Sequence, residues 1–171
     1  MTPQAQMANG FQWAHTVLNM AMEGCTPEVL HHKVPGSTIN PIAAIYVHAV
    51  YAEDSLVNRR VRGGTSIWER DGWQEKTGVT LEGSSSDPNW AEQLHLDLGR
   101  FKPYADAVFA ETDAYISSLT DEEMNREIET SFLGRQTVGQ FLNGLTLHHM
   151  GLHTGEIATM KGVQGLKGLP F

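Results

Sequence analysis

The chain has 171 residues, 40% of them apolar and 19% charged, and a formal net charge of −8. This composition is typical of a folded globular domain, which we expect to span residues 1–171, and it excludes a disordered chain. The acidic balance argues against a surface for nucleic acid or anionic membranes, since both need clustered Lys and Arg.

The sequence also lacks the features of exported or membrane-bound proteins. No apolar run approaches the length of a membrane span, and the N-terminus has no basic region followed by an apolar stretch. Cys25 is the one cysteine, so an internal disulfide is excluded. We expect Cys25 to be a small buried residue at a helix end rather than a reactive thiol, in a cytoplasmic protein.

Two long amphipathic helices are predicted in the first third of the chain. The first begins at Thr2, an N-cap followed by Pro3, and ends at Gly24. The second begins with Asn40 as N-cap and runs out near residue 63. Each carries apolar residues at helical spacing: Met7, Phe11, Ala14, Leu18 and Met22 in the first, and Ile42, Ile45, Ala49, Ala52 and Leu56 in the second.

Residues 63–86 are rich in Gly, Ser and Thr and too long for an ordinary connection, so we expect either a functional lid or an excursion across the bundle. Trp68 and Trp73 in this segment could close over a pocket, with Arg70 binding a carboxylate. Equally, the tryptophans could fix a long loop to the bundle.

Two further helices are predicted in the second half. Asp87-Pro88 should start the third, which runs to Ile116 with a kink at Pro103, and residues 127–133 are expected to be extended. Thr137 with Gln140 forms a capping box for the fourth. Its apolar stripe comprises Val138, Leu142, Leu145, His149, Leu152, Glu156 and Met160. Four such helices predict an all-α four-helix bundle with a long connection between the second and third.

Three histidines are the strongest functional signal. His149 and His153 lie one turn apart on the last helix, so their rings share a face. His48 lies at the edge of the buried face of the second helix. Together they could form a facial triad on one divalent transition metal, since imidazole suits zinc, nickel, copper and iron. For His48 alone, the alternative is a core histidine satisfied by a hydrogen bond.

Glu156 follows His153 by one turn on the same side of the helix. It could orient a ligand, act as a general base or be a fourth ligand. The alternative is a surface ion pair with Lys161 or an Arg. His148 should point about 100° away from its neighbour His149 and so take no part.

The remaining histidines give weaker signals. His31, His32 and His95 stand in polar contexts and are expected to be solvated, and the sequence identifies no partner for His15.

With these segments, the chain resembles the DinB-like (damage-inducible B) superfamily and the related YfiT-type metal-dependent hydrolases. The second helix carries IYVHAVYAED and the last HHMGLHTGEI, which fits the family pattern H-x-x-x-H-x-G-[Q/E]-I at 149–157. The resemblance implies an up-down-down-up bundle, frequent homodimers, and nickel or zinc at His48, His149 and His153. Glu156 stands where many relatives have Gln.

The resemblance also implies a class of activity, because characterised relatives include transferases that use low-molecular-weight thiols. Our leading hypothesis is therefore a metal-dependent thiol S-transferase acting on a small electrophile. The basic anchors for the thiol's carboxylates would be Arg59, Arg60, Arg70 and Arg135. Two alternatives stay open: a hydrolase in which Glu156 deprotonates metal-bound water, and a non-catalytic metal-binding stress protein. We also expect a homodimer through a helix pair.

Overall fold

The structure, a computed structural model, describes residues 1–82, 84, 89–130 and 134–171. Its helices are α1 (Pro3–Met22), α2 (Pro27–Leu30), α3 (Ile42–Asp54), α4 (Ile67–Arg70), α5 (Trp73–Thr77), α6 (Trp90–Gln93), α7 (Leu98–Ser118), α8 (Asp121–Asn125), α9 (Val138–Phe141) and α10 (His148–Val163). Two π-helical segments, Ser55–Val61 and Leu142–Leu147, extend α3 and join α9 to α10. A hairpin of β1 (Glu127–Thr130) and β2 (Gly134–Thr137) completes the described elements.

The capping residues set the ends of α1 but not the start of α3. The Thr2 side chain accepts a hydrogen bond from the Ala5 amide, as the sequence predicts, and Gly24 after the helix has φ 72°. The predicted cap at Asn40 is wrong, because the N-cap of α3 is Pro41, which has no side-chain hydrogen bond. The start of α3 is stabilised by packing instead of a side-chain cap, since residues 42–47 are all buried.

Helix α1 runs parallel to α10. Near its start, Gly10 approaches the last helix so closely that a Cβ there would lie 3.0 Å from Leu147. Near its end, the Ala21 carbonyl accepts a 3.0 Å hydrogen bond from Lys161. Because residue numbers rise together along both helices, their directions agree.

Helices α3 and α7 are also parallel to each other. The ring of Tyr46 packs against Phe101 with centroids 5.5 Å apart, and beyond α3 Arg62 bonds Glu111 at 2.7 Å. Two parallel helices need a crossover between the end of one and the start of the next. The segment between Arg62 and Asp97, here called the crossover segment, supplies it.

The four long helices therefore form an up-down-down-up bundle. Gln4 at the start of α1 hydrogen-bonds Asp121 just after α7, so these two helices are antiparallel. Contacts link α1 with α7, α7 with α3, α3 with α10 and α10 with α1. The predicted all-α bundle is confirmed, with a two-stranded hairpin added where extended chain was expected.

The first described part of the crossover segment lies against α3 and α7. Its helices α4 and α5 contact α7, and Trp68 is 5% exposed among the rings of Phe101 and Tyr104. The carboxylate of Asp54 accepts the amides of Ile67 and Trp68 at 2.8 and 2.9 Å. Trp68 therefore fixes this segment to the bundle, which agrees with the second interpretation of the tryptophans given above.

The third long helix begins later than the sequence predicted. The start expected at 87–88 lies outside the described residues, and α6 ends at Gln93 before an irregular stretch. The long helix α7 begins at Leu98, where Asp97 accepts from the Arg100 amide as N-cap. Pro103 lies inside α7, as expected.

The last helix contains a correction that bears on the site. Thr137 and Gln140 form the predicted capping box. The π-helical turns over Leu142–Leu147 then add width to the helix, so the buried positions move to Thr146, Met150, Thr154 and Ile157. The predicted stripe residue Leu152 is consequently 69% exposed. No helix in the described ranges is both long and apolar enough to cross a membrane.

Candidate metal centre

Three imidazole rings converge in the groove between α3 and α10. His149 Nε2 lies 3.2 Å from Nε2 of His48 and 3.0 Å from Nε2 of His153. One ring nitrogen from each histidine lies within 4.8 Å of the others. The three histidines that the sequence singled out are thus brought to one point from two helices.

The local structure of each helix explains why the rings meet. His48 is the exposed residue in an otherwise buried stretch of α3, residues 42–50. His149 and His153, one turn apart on α10, are half-buried at the edge of the face that packs on α3. The π-helical turns before α10 change the phase of the helix, so Thr146 and Met150 are buried and His149 lies at the edge of the groove.

The spacing of these nitrogens fits a single transition-metal ion. With metal–nitrogen bonds of about 2.0–2.1 Å and angles of about 90–110°, two ligand nitrogens on one ion lie about 2.9–3.4 Å apart. The measured 3.0 and 3.2 Å fall in that range. An all-imidazole donor set suits zinc or nickel, so the residues present fit such an ion.

Glu156 orients one of the three rings. Its Oε2 lies 2.6 Å from Nδ1 of His153, and the other nitrogen of that ring faces His149. An Nδ1–H donated to the carboxylate leaves the lone pair of Nε2 directed at the site, the usual arrangement of histidine ligands. The alternative ion pair with Lys161 is not formed, because Lys161 donates to the carbonyls of Ala21 and Glu23.

The electrostatics favour the neutral form of two of these rings, His48 and His149. Burial, followed by the nearby His153 and His48, lowers the pKa of His149 to about 4. Burial and then His153 also lower the pKa of His48, against a smaller opposing effect of Glu156. Only neutral imidazole can ligate a metal, so both rings are in the ligating form at neutral pH.

Arg70 is engaged by acidic side chains. Its guanidinium bonds Asp71 at 2.9 Å and Glu111 at 2.9 Å, and these partners raise its pKa further. Helix α4, which carries Arg70, contacts α3 and α7, whereas the triad lies between α3 and α10. Arg70 as an anchor for a carboxylate of the thiol therefore stays a prediction.

Two of the other predicted anchors also have ion-pair partners. Arg59 lies 3.2 Å from Glu69, and Arg135 lies 3.5 Å from Glu127 in the hairpin. Arg60 is exposed on the π-helical segment after α3.

His15 is the histidine that sequence reasoning missed. It is 5% exposed, and its Nε2 lies 3.0 Å from the buried carboxylate of Glu53, a partner that the sequence did not identify. A usable signal existed, because His15 follows Phe11 by four residues on the buried face of α1. His31 is also less solvated than expected, since it donates to the Pro27 carbonyl and accepts from the Leu96 amide.

Comparisons with known proteins agree with this architecture. The sequence profile of the DinB superfamily matches residues 11–157. A crystal structure described as the conserved protein of locus from Enterococcus faecalis is similar, with 18% identity and a TM-score of 0.81 over 96% of this chain and 99% of that chain. At this identity the likeness shows the fold alone. No curated protein sequence is similar enough to match.

Proposed function

Because the chain belongs to the DinB superfamily, we propose that it binds one zinc or nickel ion through His48, His149 and His153 and transfers a low-molecular-weight thiol to a small electrophile. The observation that carries this proposal is the convergence of three Nε2 atoms at a point where the His48 side chain is exposed. Three nitrogens leave coordination positions free on either ion. The exposure of His48 puts those positions in reach of solvent and substrate.

The number of ligands favours a catalytic site over a purely structural one. A structural zinc site is closed by four protein ligands, whereas catalytic sites keep an open position. Among the described residues, the group that could hold a metal consists of these three histidines and no fourth ligand. A non-catalytic binding protein remains the outcome if metal binds but no reaction is accelerated.

The position of Glu156 favours thiol transfer over hydrolysis. A general base must reach the proton that it removes, but the Glu156 carboxylate is held 2.6 Å from His153 Nδ1. A divalent metal, when bound, lowers the pKa of a thiol and so raises the share of thiolate at neutral pH. The thiolate sulfur then forms a bond to the electrophilic carbon, and the leaving group departs with its bonding electrons.

The test is a screen of the metal-loaded protein, made without a His tag. Elemental analysis should give about one zinc or nickel per chain after reconstitution. Consumption of monochlorobimane should then be accelerated with glutathione, cysteine or another small thiol, and His149→Ala should lose the acceleration while His148→Ala keeps it. If the protein binds metal but accelerates the reaction of monochlorobimane with none of the thiols, the thiol-transfer proposal is rejected. Hydrolysis of a nitrophenyl ester by the same protein would favour the hydrolase.

A further inference from the structure

A second cluster of ionisable groups lies between α1, α3 and α7, apart from the triad. His15 of α1 places Nε2 at 3.0 and 3.1 Å from the two carboxylate oxygens of Glu53 on α3. On the other side of the ring, Nδ1 lies 3.3 Å from Oδ1 of Asp113 on α7. The side chains of His15 and Glu53 are 6% and 1% exposed and that of Asp113 is 28% exposed, so one buried ring lies between two carboxylates.

The packing of the ring favours a positive charge on it. His15 stacks on Phe109 of α7 with centroids 4.2 Å apart and planes 15° apart. The face of an aromatic ring attracts a cation. Phe11 packs on the same imidazole at 6.0 Å, and this helps to exclude water.

A neutral ring would fit this environment poorly. Neutral imidazole carries one N–H and one lone pair. The N–H could serve Glu53 or Asp113, but the lone pair would then face an oxygen of the other carboxylate, and the buried ring has little access to water. Two N–H groups remove this repulsion, and one positive charge partly offsets the two negative ones.

The charged groups around His15 agree with this assignment. Burial by itself lowers the pKa of His15, but Asp113 and Glu53 outweigh it and raise the pKa to about 9. From the fourth bundle helix, Lys161 reaches α1 further along, at the carbonyls of Ala21 and Glu23.

The carboxylate of Glu111, which is also on α7, does not face His15, since it binds Arg62 and Arg70. In the part of the chain that the structure describes, the charged groups that face His15 are thus Glu53 and Asp113.

We propose that His15 is held as an imidazolium whose proton locks α1 to α3 and α7, a pH-sensitive latch in the bundle that is separate from the metal centre. A histidine whose pKa is raised on folding contributes its full stabilisation at pH values below its unfolded pKa of about 6.5. That contribution is lost as the pH rises through about 9. Mild alkali should therefore loosen the contact of α1 with α3 and α7.

The first test observes the proton directly. In protein labelled with ¹⁵N at histidine, both ring nitrogens of His15 should carry protons at pH 7.5, and the signal should titrate with a midpoint near pH 9. Assignment comes from the spectrum of His15→Gln. The signal of exposed His32 serves as the internal reference in the same spectra. A neutral His15 ring at pH 7.5 would overturn the proposal.

The second test measures the latch through stability. The full chain and His15→Gln are melted between pH 6 and pH 10.5. The variant should melt about 5–10 °C lower at pH 7, and the difference should vanish by pH 10.5. His32→Gln should match the parent throughout, and Asp113→Asn should lower the midpoint of the His15 titration. A difference that is constant with pH would mean that His15 contributes packing alone, and the latch would be rejected.

Discussion

At the scale of single residues, the metal centre depends on which side of α10 a histidine occupies. His149 and His153 face His48, whereas neighbouring His148 is exposed with Nδ1 near the Asn143 carbonyl. We expect His149→Ala and His153→Ala each to abolish tight metal binding and His148→Ala to leave it nearly intact. The measurement is calorimetric titration with zinc or nickel. Equal damage from His148→Ala would mean that the assigned helix face is wrong.

The same triad predicts how acid removes the metal. Protons compete with the ion for the imidazole nitrogens, but burial and neighbouring rings lower the pKa of His149 to about 4. Competition should therefore be weak at pH 7 and metal content should fall mainly between about pH 6 and pH 4. Equilibrium dialysis followed by elemental analysis checks this. Complete loss of metal already at pH 6.5 would contradict the lowered pKa.

The role of Glu156 can be separated from that of a base or ligand. Since its carboxylate bonds His153 Nδ1, Glu156→Ala should weaken metal binding by about 10–100-fold. Glu156→Gln keeps an oxygen acceptor and should lose less. Exposed Glu122→Gln serves as the control and should bind like the parent. If Glu156→Ala bound metal normally but lost all activity, Glu156 would be the base of a hydrolase instead.

At the scale of elements, Asp54 holds the crossover segment to the bundle. Its fully buried carboxylate accepts hydrogen bonds from Asn58, from the amides of Ile67 and Trp68, and from the Tyr104 hydroxyl, at 2.8 to 2.9 Å. All four partners are donors, so each lone pair of the carboxylate is used. This one side chain joins α3, α4 and α7.

Replacing this acceptor should destabilise the whole fold. Asp54→Asn places an NH₂ group against donors and removes the charge that strengthens these bonds, at a cost of about 3 kcal/mol or more in the free energy of unfolding. Urea denaturation measures the loss. The matched control is Asp106→Asn, which breaks the exposed pair with Lys102 and should cost about 0.5 kcal/mol or less. Similar losses from both variants would refute the anchoring role of Asp54.

At the scale of the whole molecule, one face of the bundle remains apolar and exposed. Trp13 of α1, Leu152 of α10 and Phe171 at the C-terminus are 59%, 69% and 74% exposed. They line one groove between the two parallel helices, together with Gly10 and Gly151. Exposed apolar surface of this kind is typical of protein interfaces.

We therefore expect a homodimer that covers this face. Light scattering should give about twice the chain mass of 18.9 kDa at tens of micromolar, and Trp13→Glu should shift the protein to monomer by burying a charge in the interface. Gln12→Glu, an exposed neighbour outside the groove, is the control and should stay dimeric. A mass near that of one chain for the parent protein would contradict the expected homodimer.

Local signals in the sequence determined a large part of this molecule. Thr2 and the pair Thr137/Gln140 cap helices as predicted, because a cap is a contact between residues three apart. The spacing of His149 and His153 likewise placed two rings on one side of a helix without any knowledge of the fold. Apolar periodicity and the family pattern then indicated the bundle that the structure confirms.

Only the tertiary structure decided the features that join distant parts of the chain. The partners of His15, the carbonyls bound by Lys161 and the amides held by Asp54 lie on other elements, and no local pattern names them. The π-helical turns before α10 moved Leu152 to the surface, although an ideal period of 3.6 residues predicts it buried. Helix geometry is set locally, but burial, charge and register are set by what packs against each helix.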